Sequence, residues 1–188
     1  AGQQWIASLT LPDEATSIAA GSTGSPTFRS FTNLQEISGA NIVELRAFAF
    51  KNNISLKSVN FPKATTFREW SLENTGLITV YLPAATTLSQ GVFHKCTQII
   101  TVNLPEITTL PISAFQPYNT QLRTAILPKT KTIETNAFQN CPLTSITIPD
   151  GCTLVDDSIQ GGFRAYYEGK GKAGGVYTYS QLGWTGPF

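Results

Sequence analysis

Apolar and polar positions follow a seven-residue pattern that recurs along most of the chain. An apolar residue stands at its first, fourth and sixth positions and proline at its seventh, as in Leu77, Val80, Leu82 and Pro83. Copies of the pattern occupy residues 6–12, 34–40, 56–62, 77–83, 99–105, 122–128 and 143–149. Apolar side chains two positions apart predict a strand with one buried face, and the proline ends it because proline cannot donate a ladder hydrogen bond.

The copies recur with a nearly constant period. From the second copy onward they end at residues 40, 62, 83, 105, 128 and 149, in steps of 21 to 23 residues. The first step is longer, and the Gly- and Ser-rich segment 21–26 predicts a surface-loop insertion there. This period indicates a leucine-rich repeat, in which stacked coils bury one another's apolar columns. Parallel pairing at about 4.8 Å would make seven such coils into a rod roughly 30 Å long.

The second half of each repeat keeps two further columns in phase. Five positions after each copy comes an apolar residue, namely Leu45, Phe67, Leu88, Leu110, Ile133 and Leu154. Five positions later comes a large residue, namely Phe50, Leu72, Phe93, Phe115, Phe138 and Ile159. We expect the large residues to stack as an aromatic column opposite the strands. The predicted fold is an α/β-type, β-rich solenoid of about seven coils, with a parallel sheet on one face and short helical or irregular turns on the other.

Composition argues against several classes of function. Charged residues are only 13% of the chain and the net charge is +1, with no run of like charge, so we expect no nucleic-acid partner. No apolar run is long enough to cross a bilayer, so we expect no membrane insertion, although a lipoprotein anchor could lie outside this chain. The chain begins at Ala1 and contains no methionine, which is typical of a mature chain whose signal peptide has been removed.

Groups that could support catalysis or bind metal are few and scattered. The three cysteines form no CxxC pair, and Cys96 and Cys141 should lie about 9–10 Å apart, which is too far for a disulfide. They are expected to be buried free thiols. His94, the one histidine, has no nucleophile motif near it and is expected in a surface turn. We therefore expect no catalytic residues, no cofactor and no metal.

The acidic residues predict neither a calcium site nor an acid–base pair. Three carboxylates near the end of the repeats match no calcium-loop spacing; they are Asp150, Asp156 and Asp157. The other carboxylates, such as Glu69 and Glu106, stand in different phases of the repeat and predict no convergent acid–base pair.

The motif L-x-x-V-x-L-P, followed by T-x-L and A-F-x-x-C, resembles the BspA-like, or Treponema pallidum-type, leucine-rich repeat. Residues 86–96 and 132–141 match it best, and the resemblance covers 34–160 well and 5–33 loosely. The departures are Ala40 in place of proline, Trp70-Ser-Leu in place of Ala-Phe, and Pro117-Tyr-Asn where cysteine would fall. The resemblance implies a surface or secreted bacterial protein, many relatives being from Bacteroides-like species, and some members are implicated in adhesion.

The repeat stops after Gln160, and the segment that follows is rich in glycine and aromatic residues. Six aromatic residues stand at 163–184, namely Phe163, Tyr166, Tyr167, Tyr177, Tyr179 and Trp184. A parallel solenoid leaves an open apolar end and an unpaired strand edge, so we interpret 161–188 as a C-terminal cap. Stacking on sugar rings is the alternative role for these aromatic side chains. Two domains are predicted, a solenoid at 1–160 and the cap at 161–188. Within the solenoid, 5–33 is a divergent N-terminal coil with an insertion and 34–160 contains the regular repeats.

The residues on either side of the fourth position should point away from the core. In the regular copies they are Ser58, Asn60, Thr79, Tyr81, Thr101, Asn103, Thr124, Ile126, Ser145 and Thr147. Solvation and the β-propensity of threonine are enough to explain such a neutral face. The face would also serve as a platform for a partner, with Tyr81 and Ile126 as anchors.

The sequence thus predicts a monomeric, non-enzymatic binding or adhesion module at the cell surface or in the secreted fraction, with an extracellular protein or glycan as partner. The alternative is a structural spacer or scaffold domain of a larger surface lipoprotein, which would bind nothing by itself.

Overall fold

The chain folds into a parallel β-solenoid closed at its C-terminal end by a small cap. A computed structural model describes residues 5–28, 31–116, 118–156 and 158–188. The elements of the solenoid are β1 (Ser8–Thr10), β2 (Ser17–Ile18), β3 (Glu36–Ser38), β4 (Glu44–Leu45), β5 (Ser58–Asn60), β6 (Thr66–Phe67), β7 (Thr79–Tyr81), β8 (Thr87–Leu88), β9 (Thr101–Asn103), β10 (Thr109–Leu110), β11 (Thr124–Ile126), β12 (Thr132–Ile133), β13 (Ser145–Ile148) and β14 (Thr153–Leu154). The cap contains α1 (Phe163–Gly169), β15 (Gly175–Ser180) and β16 (Gly183–Thr185).

The odd-numbered strands of the solenoid arise from the seven-residue pattern. Equivalent positions of neighbouring copies lie opposite each other, so that Leu9 pairs with Ile37 and Val80 pairs with Val102. Strands β1, β3 and β5 form one parallel sheet, and β7, β9, β11 and β13 continue as a second one. The predicted solenoid with a parallel sheet on one face is therefore confirmed.

The opposite wall is more regular than the sequence predicts. The polar–apolar pairs of the second column form two-residue parallel strands, ordered β2-β4-β6-β8 and β10-β12-β14. The turns beyond them are not helical in the described residues. Their backbones bond from coil to coil instead, for example from Phe50 N to Ser71 O at 2.8 Å and from Phe138 N to Ser158 O at 2.9 Å. A strand of two residues is too short to show the alternation of apolar and polar positions that marks a strand, so the sequence predicts short helical or irregular turns there.

The large residues of the third column form the predicted aromatic column over three coils. Phe115 stacks between Phe93 and Phe138, at centroid distances of 5.1 and 5.2 Å and with interplanar angles of 7° and 2°. Leu72 interrupts the column, and Phe50 on its other side stacks on Phe28 at 4.7 Å. All three stacked phenylalanines of the main run are fully buried.

Five coils turn sharply two residues before their large core residue. The residue there has a left-handed φ of 54° to 65° in five coils, and the five are Phe48, Trp70, Gly91, Ser113 and Asn136. Glycine adopts this conformation without steric cost, whereas the other side chains are strained there. The turn is thus imposed by the stacking of the coils and is not encoded by a repeated glycine.

The cap closes the last coil by continuing its sheet. β15 pairs antiparallel with β13 and β16 pairs antiparallel with β15. Four of the six aromatic residues at 163–184 are buried, namely Phe163, Tyr167, Tyr177 and Trp184, while Tyr166 is half-buried and Tyr179 is exposed. The Tyr167 hydroxyl donates to Pro149 O and accepts from Cys152 N, both at 2.9 Å, which ties α1 to the last coil.

Candidate binding surface

The ten candidate residues form two rows on the outer surface of the longer strands, here called the sheet face. They alternate with inward side chains such as Val80, Val102 and Ile146, which are buried. Because the strands pair in register, one row runs through Thr79, Thr101, Thr124 and Ser145, and the other runs through Tyr81, Asn103, Ile126 and Thr147. Ser58 and Asn60 stand on β5, in the first of the two sheets.

Exposure differs along the sheet face. Ser58, Asn60, Thr79 and Tyr81 are exposed, whereas the six candidates on β9, β11 and β13 are half-buried. Tyr81 is the largest side chain of the face and 57% of it is exposed. Of the two predicted anchors, Tyr81 is therefore the more available, and Ile126 offers less surface to a partner.

The cap extends both rows, which sequence reasoning missed. Thr178 lies opposite Ser145, and Val176 lies opposite Thr147. Thr185 follows on β16, with its hydroxyl oxygen 2.9 Å from that of Thr178. Only the antiparallel pairing of β15 with β13 shows that the cap shares the sheet face.

The N-terminal sheet holds a shallow polar concavity of about 340 Å³. Its lining comprises Ser8, Glu36, Ile37, Ser38, Ser58 and Asn60. Ser38 donates a hydrogen bond of 3.2 Å to the Thr10 hydroxyl, whereas Glu36 is exposed. Carboxylate, hydroxyl and amide groups that line a concavity can accept hydrogen bonds from a polar ligand, and the hydroxyl and amide groups can also donate to it.

A charged cluster lies on the turns, outside the sheet face. Glu73 forms an ion pair with Lys51 of the preceding coil and a hydrogen bond with His94 of the following coil, with 3.1 Å between Glu73 Oε1 and His94 Nδ1. The His94 ring meets the Trp70 ring edge-on at 4.9 Å. Burial lowers the pKa of His94, although the hydrogen bond and charge of Glu73 act in the opposite direction.

His94 lies in a turn, as expected, but its side chain is only 18% exposed because it packs against Glu73 and Trp70. Lys51, Glu73 and His94 each follow the large residue of the third column, and Gln116 and Gln139 continue the same position as a hydrogen-bonded pair. Aligning this turn column across the repeats would have found the cluster. The cluster links three successive coils through the side chains of Lys51, Glu73 and His94.

The prediction that Cys96 and Cys141 are buried free thiols is confirmed, and Cys152 is also a buried free thiol. Burial raises the pKa of Cys96 to about 11 and that of Cys141 to about 12, so neither thiol ionises readily. Cys96 Sγ lies 3.1 Å from Leu72 O, and Asn119 takes the equivalent place in the longer coil by donating to Phe93 O at 3.1 Å. Pro117, the departure noted there, lies outside the described residues.

The acidic residues near the last coil are engaged separately. Asp150 accepts a hydrogen bond from the Gly174 backbone, and Asp156 pairs with Arg164, while Asp157 lies outside the described residues. Within the described ranges, no group of three or more His, Cys, Asp or Glu side chains could hold a metal ion. No helix among those residues is long and apolar enough to cross a membrane.

A family model for the BspA type leucine rich repeat region matches residues 21–142 and 86–159, with six copies. The match begins after the first predicted copy at 6–12, so the count of copies is slightly below the seven coils expected from the spacing. The search of curated proteins finds no match.

Several solved structures share the fold. A T. pallidum leucine-rich repeat protein matches with a TM-score of 0.72 and 15% identity, over 88% of this chain and 83% of that one. A leucine-rich repeat protein from Bacteroides ovatus matches with a TM-score of 0.62 and 19% identity, over 79% of this chain and 44% of that one. The pneumococcal vaccine antigen PcpA matches with a TM-score of 0.58 and 15% identity, over 80% of this chain and 41% of that one. This chain thus spans less than half the length of the latter two proteins.

Proposed function

Because this chain belongs to the BspA-type leucine-rich repeat family, we propose that it is a non-enzymatic binding module of the cell surface or the secreted fraction. Its partner is an extracellular protein or glycan, which docks on the sheet face. The observation that carries the proposal is the pair of in-register rows of hydroxyl and amide side chains, with Tyr81 standing 57% exposed among them. The vaccine antigen among the structural relatives supports the location.

The chemistry of the face suits a neutral, polar partner. Hydroxyl and amide groups both donate and accept hydrogen bonds, and a tyrosine supplies a large rigid contact surface at low entropic cost. Glu36 is the one charged side chain among the rows and the concavity. A partner that docks there contacts a sheet whose backbone is already fixed by stacking, so little ordering is needed on this side.

A glycan and extracellular-protein array tests the proposal. We expect a reproducible binder whose affinity falls about tenfold or more in Tyr81→Ala, because exposed tyrosines at interface centres act as hot spots. Tyr118→Ala is the matched control, since Tyr118 is 59% exposed but stands outside the sheet face. Equal losses in the two variants, or no loss in either, would exclude the sheet face as the site.

Introducing a charge on the sheet face distinguishes the binding-module hypothesis from the structural-spacer hypothesis. Asn103→Arg and Ile126→Arg place a cation in the centre of one row and should abolish binding of a neutral partner. In a spacer, both variants would leave every property of the chain except its net charge unchanged. Absence of any binder on the array, together with this tolerance, would favour the spacer.

A further inference from the structure

A second concave site lies between the last coil and the cap, on the inner side of the sheet. It is a pocket of about 220 Å³, lined in part by Pro142, Leu143, Ile159, Gly161, Tyr179 and Trp184. Pockets for drug-sized ligands measure about 300–1,000 Å³, so this one is of a size to take a single side chain or ring. Its remaining lining residues are Cys141 and Gln160, so no lining residue is charged.

The pocket borders an unsatisfied hydrogen-bond donor. Trp184 is only 7% exposed, and its indole Nε1 is buried without a hydrogen-bond partner among the described residues. Buried indole N–H groups usually find an acceptor, and leaving one unpaired is unfavourable. A ligand that places a hydrogen-bond acceptor at this nitrogen would therefore remove the free-energy penalty of the unpaired N–H in the unbound protein.

Gly161 keeps the space beside the indole nitrogen open. A Cβ on Gly161 would lie 3.3 Å from Trp184 Nε1 and 3.4 Å from Cε2 of Tyr179, so that any side chain would occupy the gap between the two rings and the last coil. The two rings are tilted by 52° with their centroids 5.1 Å apart, and Tyr179 is 42% exposed. The pocket is thus an aromatic notch with apolar walls.

The notch suits an uncharged ligand group with an apolar ring and one acceptor. A prolyl residue with the carbonyl before it has this composition, because its ring is apolar and its nitrogen carries no N–H that would need a partner. Extended prolyl segments also bind aromatic-lined grooves at low entropic cost. A sugar ring fits less well, since its several hydroxyl groups would lose water in a largely apolar notch.

We propose that this pocket binds a proline-bearing extended segment of a partner protein. The prolyl ring packs against Tyr179 and the Pro142–Leu143 wall, and the preceding carbonyl accepts from Trp184 Nε1. The site is separate from the sheet face and does not depend on the function proposed for that face.

Two glycines offer a matched pair of variants for the test. Gly161 and Gly162 have left-handed φ values of 73° and 69°, so alanine is similarly strained at both positions. A Cβ on Gly162 meets nothing within 4 Å, whereas one on Gly161 enters the notch. Tyr179→Ala is a third variant, which removes one wall of the notch without adding backbone strain.

The probe is a fluorescein-labelled oligoproline peptide, with an alanine-substituted peptide as its counterpart. Binding is measured by anisotropy, and the Trp184 indole N–H is followed by NMR, where Trp184→Phe assigns its signal. We expect oligoproline binding to shift that signal, and the affinity to fall about tenfold or more in Gly161→Ala and Tyr179→Ala but not in Gly162→Ala.

Three results would overturn the proposal. The first is an indole N–H signal of Trp184 that does not shift when oligoproline is added. The second is equal oligoproline affinity of Gly161→Ala and Gly162→Ala, combined with an unchanged affinity of Tyr179→Ala. The third is equal binding of the oligoproline and the alanine-substituted peptides. A shift of the signal by free hexoses and not by oligoproline would assign the pocket to a glycan instead. Tyr81→Ala should leave oligoproline binding unchanged, which keeps failure here distinct from failure of the sheet-face proposal.

Discussion

The carboxylate of Glu73 lies 3.1 Å from the imidazole Nδ1 of His94, one coil further along the solenoid. The side chains are only 7% and 18% exposed, and Lys51 pairs with the other oxygen of the same carboxylate. Three successive coils are therefore joined by one ion pair and one hydrogen bond that share the Glu73 carboxylate, here together called the ionic stack.

Acid should weaken this stack through His94. Burial holds the pKa of His94 below its usual 6.5, so the unfolded chain binds the proton more readily than the folded one. Stability should accordingly be greatest above about pH 6.5 and fall as the pH drops through that value toward the lower pKa of the folded state. The groups facing the ring are Glu73, which opposes this trend, and Lys51 and Lys95, which reinforce it.

Thermal denaturation at about pH 7.5 and about pH 5.5 measures the effect. We expect the melting temperature of the natural chain to fall more over this range than that of His94→Gln, which carries the residue found in the next two coils. An equal fall in melting temperature in the two proteins would contradict the role of His94 in this pH dependence.

Removing the shared carboxylate should be costly. Glu73→Ala leaves Lys51 with a side chain only 14% exposed and no counter-ion, and we expect it to lower the free energy of unfolding by about 3 kcal/mol. Lys129→Ala breaks an exposed inter-coil pair with Glu106 and should cost about 1 kcal/mol or less. Denaturant unfolding measures both. The double variant Lys51→Met with Glu73→Leu should recover most of the loss, and a further loss would argue against burial as its cause.

The aromatic column should contribute strongly to stability. Phe115→Ala removes the middle ring of a fully buried three-ring stack and should lower the free energy of unfolding by about 3–5 kcal/mol. Phe115→Leu, which mimics the natural Leu72, should cost about 1.5 kcal/mol or less if the neighbours repack. Urea titrations followed by circular dichroism provide the comparison, and a small effect of the alanine variant would show that the coils collapse around the gap.

The cap should depend on one hydroxyl. Tyr167→Phe leaves Pro149 O without its donor and Cys152 N without its acceptor at a buried junction, so we expect a loss of about 1–2 kcal/mol. Faster amide exchange at Cys152 should accompany it. Tyr179→Phe changes a side chain that is 42% exposed and serves as the control. A loss of equal size there would mean that the effect does not come from the bonds of Tyr167.

Much of the sheet face could be read from the sequence because a strand has a period of two. Once Val80 and Leu82 were assigned to the core, Thr79 and Tyr81 had to point outward. Their exposed fractions could not be read in this way, since the exposure of Ile126 and Thr147 depends on neighbouring strands and on the cap. The continuation of the face onto Val176 and Thr178 rests on an antiparallel pairing between segments that no repeat links.

The sequence alone determined the architecture, because three columns repeated at a constant spacing can bury their apolar side chains only by stacking coil on coil. The tertiary structure decided what that stacking brings together. Residues one coil apart in space are more than twenty apart in the chain, as with the 21 residues between Glu73 and His94. The ionic stack, the left-handed turns and the notch beside Trp184 all depend on contacts between coils, which no local pattern of residues encodes.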